Sequence, residues 1–261
     1  MSPPSRPAPA AAADRPPRPG AGGPSLSVVI PCYNEVFRLQ PLFHLIAAAT
    51  PGEHEWLLVN DGSKDRTGQA LAEFAAAQAG HVRALHHERN LGKGAAVRTG
   101  VLAARGELVG FVDADLAASP LDFAAYLDDA DLRQGRTLLI GIRLLTQAKR
   151  VRRDPLRHAL GRVYQTYVSQ LTGLTVYDTQ CGFKLVAADR ARQLFEPLRC
   201  AGFAFDTELI LRALAAGMTV REVTVAWEER GRSRVRPWSA ARMFWDVLKL
   251  RRHLAHAREG R

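Results

Sequence analysis

Apolar residues fall in short runs, each followed by a polar stretch and then by a helical pattern. Leu26 to Ile30, Glu55 to Val59, Val82 to His86, Leu108 to Val112 and Thr137 to Ile142 are such runs. They are too short for helices and rich in β-branched and other apolar residues, so they read as buried strands. Helical patterns follow at about 36–49, 66–79, 94–104 and 120–133, with capping residues or Pro120 near their starts. Strand–helix alternation predicts an α/β fold, a doubly wound, mostly parallel central sheet with helices on both faces, in a single domain. Further along, a helix is expected over about 155–172, another from Phe203, an edge strand over Thr219 to Trp227 and a basic, aromatic helix over about 238–257.

The fourth run ends in Asp113-Ala-Asp115. Buried carboxylates are costly unless paired or metal-bound. At the carboxyl end of a parallel strand they face the crevice where open α/β sheets bind ligands. There they can share a hard divalent cation whose shell substrate phosphates complete. A solvated strand-end turn is the other reading that this stretch leaves open.

Composition narrows the classes. The chain has 261 residues, 47% of them hydrophobic, and a formal net charge of +10. That charge calls for an anionic partner: phosphates, an acidic membrane surface or nucleic acid. Cys32, Cys181 and Cys200 form neither a disulfide framework nor a zinc pattern. No apolar run reaches the roughly 18–20 residues of a membrane span, and no signal peptide is apparent, so membrane contact is expected to be peripheral. Residues 1–24, rich in Pro, Ala, Gly and Arg, read as a disordered tail. Residues 25–258 then form the domain, in two parts, 25–142 and 143–258. Gly92-Lys93-Gly94 lacks the spacing of a P-loop. A dinucleotide fingerprint and a nucleophile elbow are missing as well.

Four motifs occur in one order: Pro31-Cys-Tyr-Asn-Glu35, Asn60-Asp-Gly-Ser-Lys-Asp-Arg-Thr67, Asn90-Leu-Gly-Lys-Gly94 and Asp113-Ala-Asp115. As an ordered set they resemble the inverting family 2 glycosyltransferases of GT-A fold. Asp178-Thr-Gln-Cys-Gly-Phe-Lys184, Phe205-Asp-Thr-Glu208 and Trp227-Glu-Glu-Arg-Gly-Arg-Ser-Arg234 resemble the dolichyl-phosphate glucosyltransferase branch. The resemblance implies a nucleotide-diphospho-sugar donor bound by the 25–142 half, Mg²⁺ or Mn²⁺, and a polyprenyl-phosphate acceptor bound by the 143–258 half at the cytoplasmic face of a membrane.

By that resemblance Pro31, Tyr33, Asn34 and Glu35 lie along the nucleoside, and Asp61 accepts from the base. Lys93 approaches ribose or diphosphate. Asp113 faces ribose and metal, and Asp115 binds the metal. Gln180 and Lys184 address the donor sugar, while Asp206 and Glu208 orient acceptor or sugar. Asn60 replaces a common aspartate, and Ala117 stands where mannosyl relatives have a metal-holding glutamine.

A lipid monophosphate acceptor needs charge neutralisation and positioning more than a base. Arginine forks supply both. The candidates are Arg143, at the start of the basic run 143–162, and Arg230, Arg232 and Arg234; Arg230 is placed with Asp113, Asp115 and Asp206 among the catalytic residues. UDP-glucose is the expected donor, with GDP-mannose and a soluble or glycan acceptor as alternatives. A nucleic-acid-binding role is disfavoured because recognisable reading motifs are lacking.

Overall fold

A computed structural model describes residues 23–49, 54–78, 80–144, 155–227 and 243–250, with backbone only at 144 and 155–162. Residues 1–22, the stretch bearing Arg230, Arg232 and Arg234, and residues 145–154 of the basic run lie outside the described residues.

The five expected strands are β1 (Leu26–Cys32), β2 (His54–Asn60), β3 (Val82–His86), β4 (Leu108–Val112) and β5 (Thr137–Leu144). Two more complete the sheet, β6 (Phe183–Ala187) and β7 (Thr219–Ala226). The seven strands run in the order β3-β2-β1-β4-β6-β5-β7. Every neighbouring pair is parallel except the two made by β6. The expected edge strand is β7.

Strand side chains alternate between two cores, as the pleat requires. Val29, Leu57, Val59, Val109, Phe111 and Ile140 join one cluster. It is covered by α3 (Lys93–Ala103), α6 (Ala188–Phe195) and α7 (Phe205–Ala215). Val28, Ile30, Trp56, Leu58, Leu108 and Leu185 join the other. There α1 (Leu39–Ala48) turns Leu39, Leu42 and Ile46 inward, and α2 (Thr67–Ala77) turns Leu71 inward. Burying one such aliphatic side chain is worth about 1.5–3 kcal/mol. The fold is the two-faced α/β arrangement that the alternation predicts.

Two expectations need correction. Residues 120–133 do not form one helix: a 3-10 segment (Pro120–Tyr126) is followed by the short α4 (Ala130–Arg133), which Asp129 caps by accepting from Leu132 N. Strand β6 and helix α6 had no place in the pattern-based reading. Lys184, the second of the five residues of an otherwise apolar strand, disguised β6. Helix α5 (Pro155–Thr172) is where it was expected, and residues 243–250 are helical.

Strand order fixes where a ligand goes. From β1 the chain moves to β2 on one side, then returns to place β4 on the other. The crevice outside the carboxyl ends of β1 and β4 is therefore a topological switch point. Residues 31–35 and 113–115 both lie at its rim.

Candidate functional site

Two tight turns open this crevice. Asn34 and Leu116 are the non-glycine residues with positive φ among those described, at 55° and 54°. Such geometry is uncommon for any side chain and strained for leucine. One lies past the end of β1 and the other past the end of β4, so the strain flanks the switch point from both sides. Leu116 N bonds Asp113 O at 3.1 Å, and Ala117 N bonds Asp115 Oδ1 at 3.0 Å. The turn so made holds both carboxylates at the strand end.

Lys93 meets them from α3. Its Nζ lies 2.6 Å from Asp113 Oδ1, with 15% of the lysine side chain exposed and 40% of the aspartate's. The ammonium also lies 5.9 Å from the centre of the Phe205 ring. Burial alone would lower the Lys93 pKa, but the charges of Asp113 and Asp206 outweigh it and hold the group above its ordinary value. Burial, then the charge of Asp113, raises Asp115 above the ordinary carboxylate range. Lys93, Arg38 and the Ala117 N–H oppose that rise. Arg38, absent from the sequence-based list, thus joins the site electrostatically.

Asp113 is seated on Gly182. A Cβ built at 182 would lie 2.2 Å from Asp113 Oδ2, so a side chain there would displace the carboxylate. The donor set is two hard carboxylates within one strand-end turn. Two carboxylate oxygens are hard donors, of the kind that hold Mg²⁺ or Mn²⁺ when substrate phosphates and water complete the shell; among the described residues no group of three or more His, Cys, Asp or Glu could hold a metal ion. Asp113 and Asp115 are the residues that fit Mg²⁺ or Mn²⁺.

Beneath the carboxylates lies a second ion pair. Lys184 Nζ donates to Asp206 Oδ1 at 2.5 Å, Cys181 O at 2.7 Å and Thr179 O at 3.2 Å. Both side chains are 1% exposed. Three acceptors use all three ammonium donors. Lys184 is therefore placed under the 179–181 turn, where it cannot also reach a sugar, and Asp206 is sealed beside it. Burial raises the Asp206 pKa, with Lys184 and Lys93 the main opposing charges. These two expected substrate contacts instead hold the backbone that carries Gly182.

Other expected contacts are also committed inside the protein. Asp61 Oδ1 accepts from His87 Nδ1 at 2.8 Å and Leu91 N at 2.9 Å. Asp61 Oδ2 accepts from Asn90 Nδ2 at 2.8 Å and Gly92 N at 2.9 Å. With four donors its lone pairs are filled, so it shapes the 90–92 loop that delivers Lys93 and has none left for a base. His87, missed from sequence, bridges onward to Thr99 at 2.9 Å. Asn34 Oδ1 accepts from Lys64 N at 2.8 Å while Asn34 N bonds Ser63 Oγ at 3.0 Å. Glu35 N bonds Thr67 Oγ1 at 2.8 Å. The loops after β1 and β2 are thus tied together. Glu208, fully buried, accepts from Arg199 N and Cys200 N and pairs with Arg212, so it braces the 199–200 turn.

Pro31 and Tyr33 remain on the crevice rim, half-buried and exposed respectively. Gln180 is half-buried in the turn above Lys184. Arg143 makes a bidentate pair with Asp178 at 2.6 and 2.9 Å and lies 5.7 Å from the Trp227 ring centre. Asp178 is a second partner that was missed. Its place in the 178–184 motif, opposite a run of arginines with few acids nearby, was the available signal. Arg230 and Arg234 lie outside the described residues. Cys32 and Cys181 are buried, and burial pushes the Cys181 thiol up to about 11.

This geometry can now be set beside known proteins. The family model described as glycosyl transferase family 2 matches residues 27–195. The chain belongs to glycosyl transferase family 2. A dolichyl-phosphate beta-glucosyltransferase of Trichomonas vaginalis is 33% identical over 234 residues, covering 85% of this chain and 69% of that protein. One from Dictyostelium discoideum is 32% identical over 240 residues, covering 87% and 73%. The human one is 31% identical over 241 residues, covering 87% and 74%. Among solved structures, glucosyl-3-phosphoglycerate synthase of Mycobacterium tuberculosis with phosphoglyceric acid matches with a TM-score of 0.62. It is 20% identical, and 88% of this chain and 79% of that one are covered. The same synthase with Mn²⁺, uridine-diphosphate and glucosyl-3-phosphoglycerate matches with a TM-score of 0.58, at 20% identity and 87% and 78% coverage. These structural matches speak for the fold. This family 2 enzyme has the GT-A architecture, and its family motifs line the switch point.

Proposed function

We propose that the enzyme transfers glucose from UDP-glucose to a polyprenyl (dolichyl-type) phosphate, with inversion, in a reaction that depends on Mg²⁺ or Mn²⁺. The observation that carries this reading is the Lys93–Asp113–Asp115 cluster at the switch point, in a chain whose relatives are named dolichyl-phosphate beta-glucosyltransferases. Structural neighbours crystallised with UDP and Mn²⁺ or Mg²⁺ support the donor class and the metal.

In this mechanism Asp113 and Asp115 would hold the cation, which when bound would supply Lewis-acid offset of the leaving diphosphate's charge. The tied 31–35 and 60–67 loops form the wall for the nucleoside. Lys93 adds a positive charge where the diphosphate lies. The acceptor's phosphate oxygen attacks the anomeric carbon from the face opposite the leaving group. The bond between that carbon and the donor's β-phosphate oxygen breaks, and UDP departs with its electron pair. Because the attacking oxygen is already anionic, no side chain has to remove a proton. Arg143, aimed by Asp178, together with Arg230 and Arg234, neutralises the acceptor phosphate. The enzyme works peripherally at the cytoplasmic face of a membrane, drawn there by its lipid substrate and its +10 charge. No helix among the described residues is long and apolar enough to cross a membrane.

The test is a turnover assay with polyprenyl phosphate and Mn²⁺, offering labelled UDP-glucose and GDP-mannose in parallel. Label should enter the lipid phase from UDP-glucose alone. Transfer from GDP-mannose would overturn the donor assignment. Transfer only to a soluble phosphate-bearing acceptor would overturn the lipid one.

A further inference from the structure

Lys93 stands where a helix least favours a cation. It is the first residue of α3, whose first turn has no acidic residue. The positive end of the helix dipole lies there, and acidic side chains are what ordinarily occupy it. A residue that breaks a local rule inside a functional site is informative. What offsets the violation is Asp113, 2.6 Å away. Lys93 pairs with Oδ1 of that carboxylate, and Oδ2 packs so close to residue 182 that only glycine leaves it room. Asp115 follows two residues later in the same turn, so two negative groups are crowded at one strand end.

Without a nearby cation these carboxylates would repel each other. The ammonium supplies that cation from within the chain. It therefore competes with any divalent ion for the same carboxylate. A donor's diphosphate reverses the contest, because it offers Lys93 a more highly charged anion and offers the metal additional oxygens.

We propose that Lys93 is the resident counter-ion of the Asp113–Asp115 pair, suppressing divalent-cation binding to the free enzyme and releasing Asp113 only when a nucleoside diphosphate takes the ammonium. Donor and metal then bind as a coupled pair, and by linkage each raises the other's affinity by the same factor. The coupling half of this inference rests on the diphosphate-donor reading above. The competition between Lys93 and metal does not.

The experiment measures Mn²⁺ binding to the full chain by electron paramagnetic resonance, with and without UDP, in the wild type, Lys93→Met, Lys93→Gln and Lys93→Arg. Removing a unit charge a few ångströms from the ion predicts that the Met and Gln variants bind Mn²⁺ alone about tenfold more tightly. The Arg variant, which keeps the charge, stays near wild type. Adding UDP should tighten Mn²⁺ binding strongly in the wild type and clearly less in the Met and Gln variants. The proposal is overturned if both neutral variants, folded by circular dichroism, bind Mn²⁺ alone no more tightly than wild type. An unchanged UDP effect in those variants would overturn the coupling. If UDP binds neither the wild type nor any variant while the neutral ones still gain Mn²⁺ affinity, the counter-ion role stands and the UDP-donor reading falls.

Discussion

Two lysine–aspartate pairs lie close together under the crevice, with nearly the same geometry and opposite uses. Lys93–Asp113 closes at 2.6 Å and Lys184–Asp206 at 2.5 Å. The first is open to the crevice on its aspartate side, 40% exposed, whereas the second is sealed at 1% on both sides. Aromatic rings flank both ammonium groups, Phe205 for Lys93 and Phe111 for Lys184. Exposure separates their roles. An open pair can exchange one partner for a ligand, and a sealed pair can only hold its neighbours in place. Sequence motifs mark all four residues alike, so motif membership identifies the neighbourhood of the chemistry and not each residue's part in it.

Breaking the sealed pair should have the largest effect. Lys184→Met leaves a buried carboxylate without its main opposing charge, which is expected to cost about 3–5 kcal/mol of stability. Asp206 already has a folded pKa above its unfolded one because of burial. Its contribution to stability is therefore full below the ordinary carboxylate range and lost as pH rises through the raised value. The variant's deficit should accordingly grow from acid toward neutral pH in denaturant titrations. A double Lys184→Met, Asp206→Leu change should recover most of the stability. If the single variant melts like the wild type, the sealed pair is not the anchor described above.

The open side predicts the reverse pattern. Asp115→Asn should lower turnover by about a hundredfold or more, the scale of losing one preorganised electrostatic contact. It should not lower the melting temperature. Burial and the charge of Asp113 raise the folded pKa of Asp115, so its ionised form opposes folding at neutral pH and a neutral amide relieves that. Equal losses of activity and stability would erase the distinction between the open carboxylate cluster and the sealed pair.

Gly182→Ala joins the two. Glycine at 182 has no need of positive φ, so alanine brings no backbone strain there, yet its Cβ would lie 2.2 Å from Asp113 Oδ2. The carboxylate must move. Mn²⁺ affinity, measured with UDP present, should fall about tenfold, while stability changes by less than about 1 kcal/mol. Unchanged affinity would mean that the seat on Gly182 does not position Asp113.

Much of this was legible in the chain, and the reasons differ by element. The five strands from Leu26 to Ile142 announced themselves because each is a short apolar run closed by a polar loop. Asp113 and Asp115 drew notice as carboxylates at the end of an apolar strand, and Lys93 through the family motif that contains it; the fold brings Lys93 and Asp113 together. Strand β6 was hidden because Lys184 looks like a surface residue until Asp206, 22 positions away, is folded against it. Asp61, Glu208 and Asn34 were assigned to ligand because polar residues in motifs invite it. Their internal donors, such as Gly92 N for Asp61 and Arg199 N for Glu208, are backbone groups that no sequence pattern displays. The positive φ of Leu116 was invisible for the same reason.

A third pair, on the surface and away from the site, calibrates the other two. Arg221 Nη2 lies 2.6 Å from Asp129 Oδ2, at side-chain exposures of 36% and 22%. Asp129 also caps α4 through Leu132 N at 2.9 Å. The Leu132 N–H first, and Arg221 second, hold its carboxyl below the ordinary range. A depressed carboxylate contributes stability above its unfolded pKa and loses it as pH falls through the folded value, the opposite sense to Asp206. Asp129→Ala should therefore cost about 1 kcal/mol at neutral pH, most of it from the cap because exposed ion pairs contribute little. The gap to wild type should close in acid, and turnover should not change. A loss as large as that of Lys184→Met would mean that burial is not what separates these pairs, because Asp129 has the same short contact with solvent beside it.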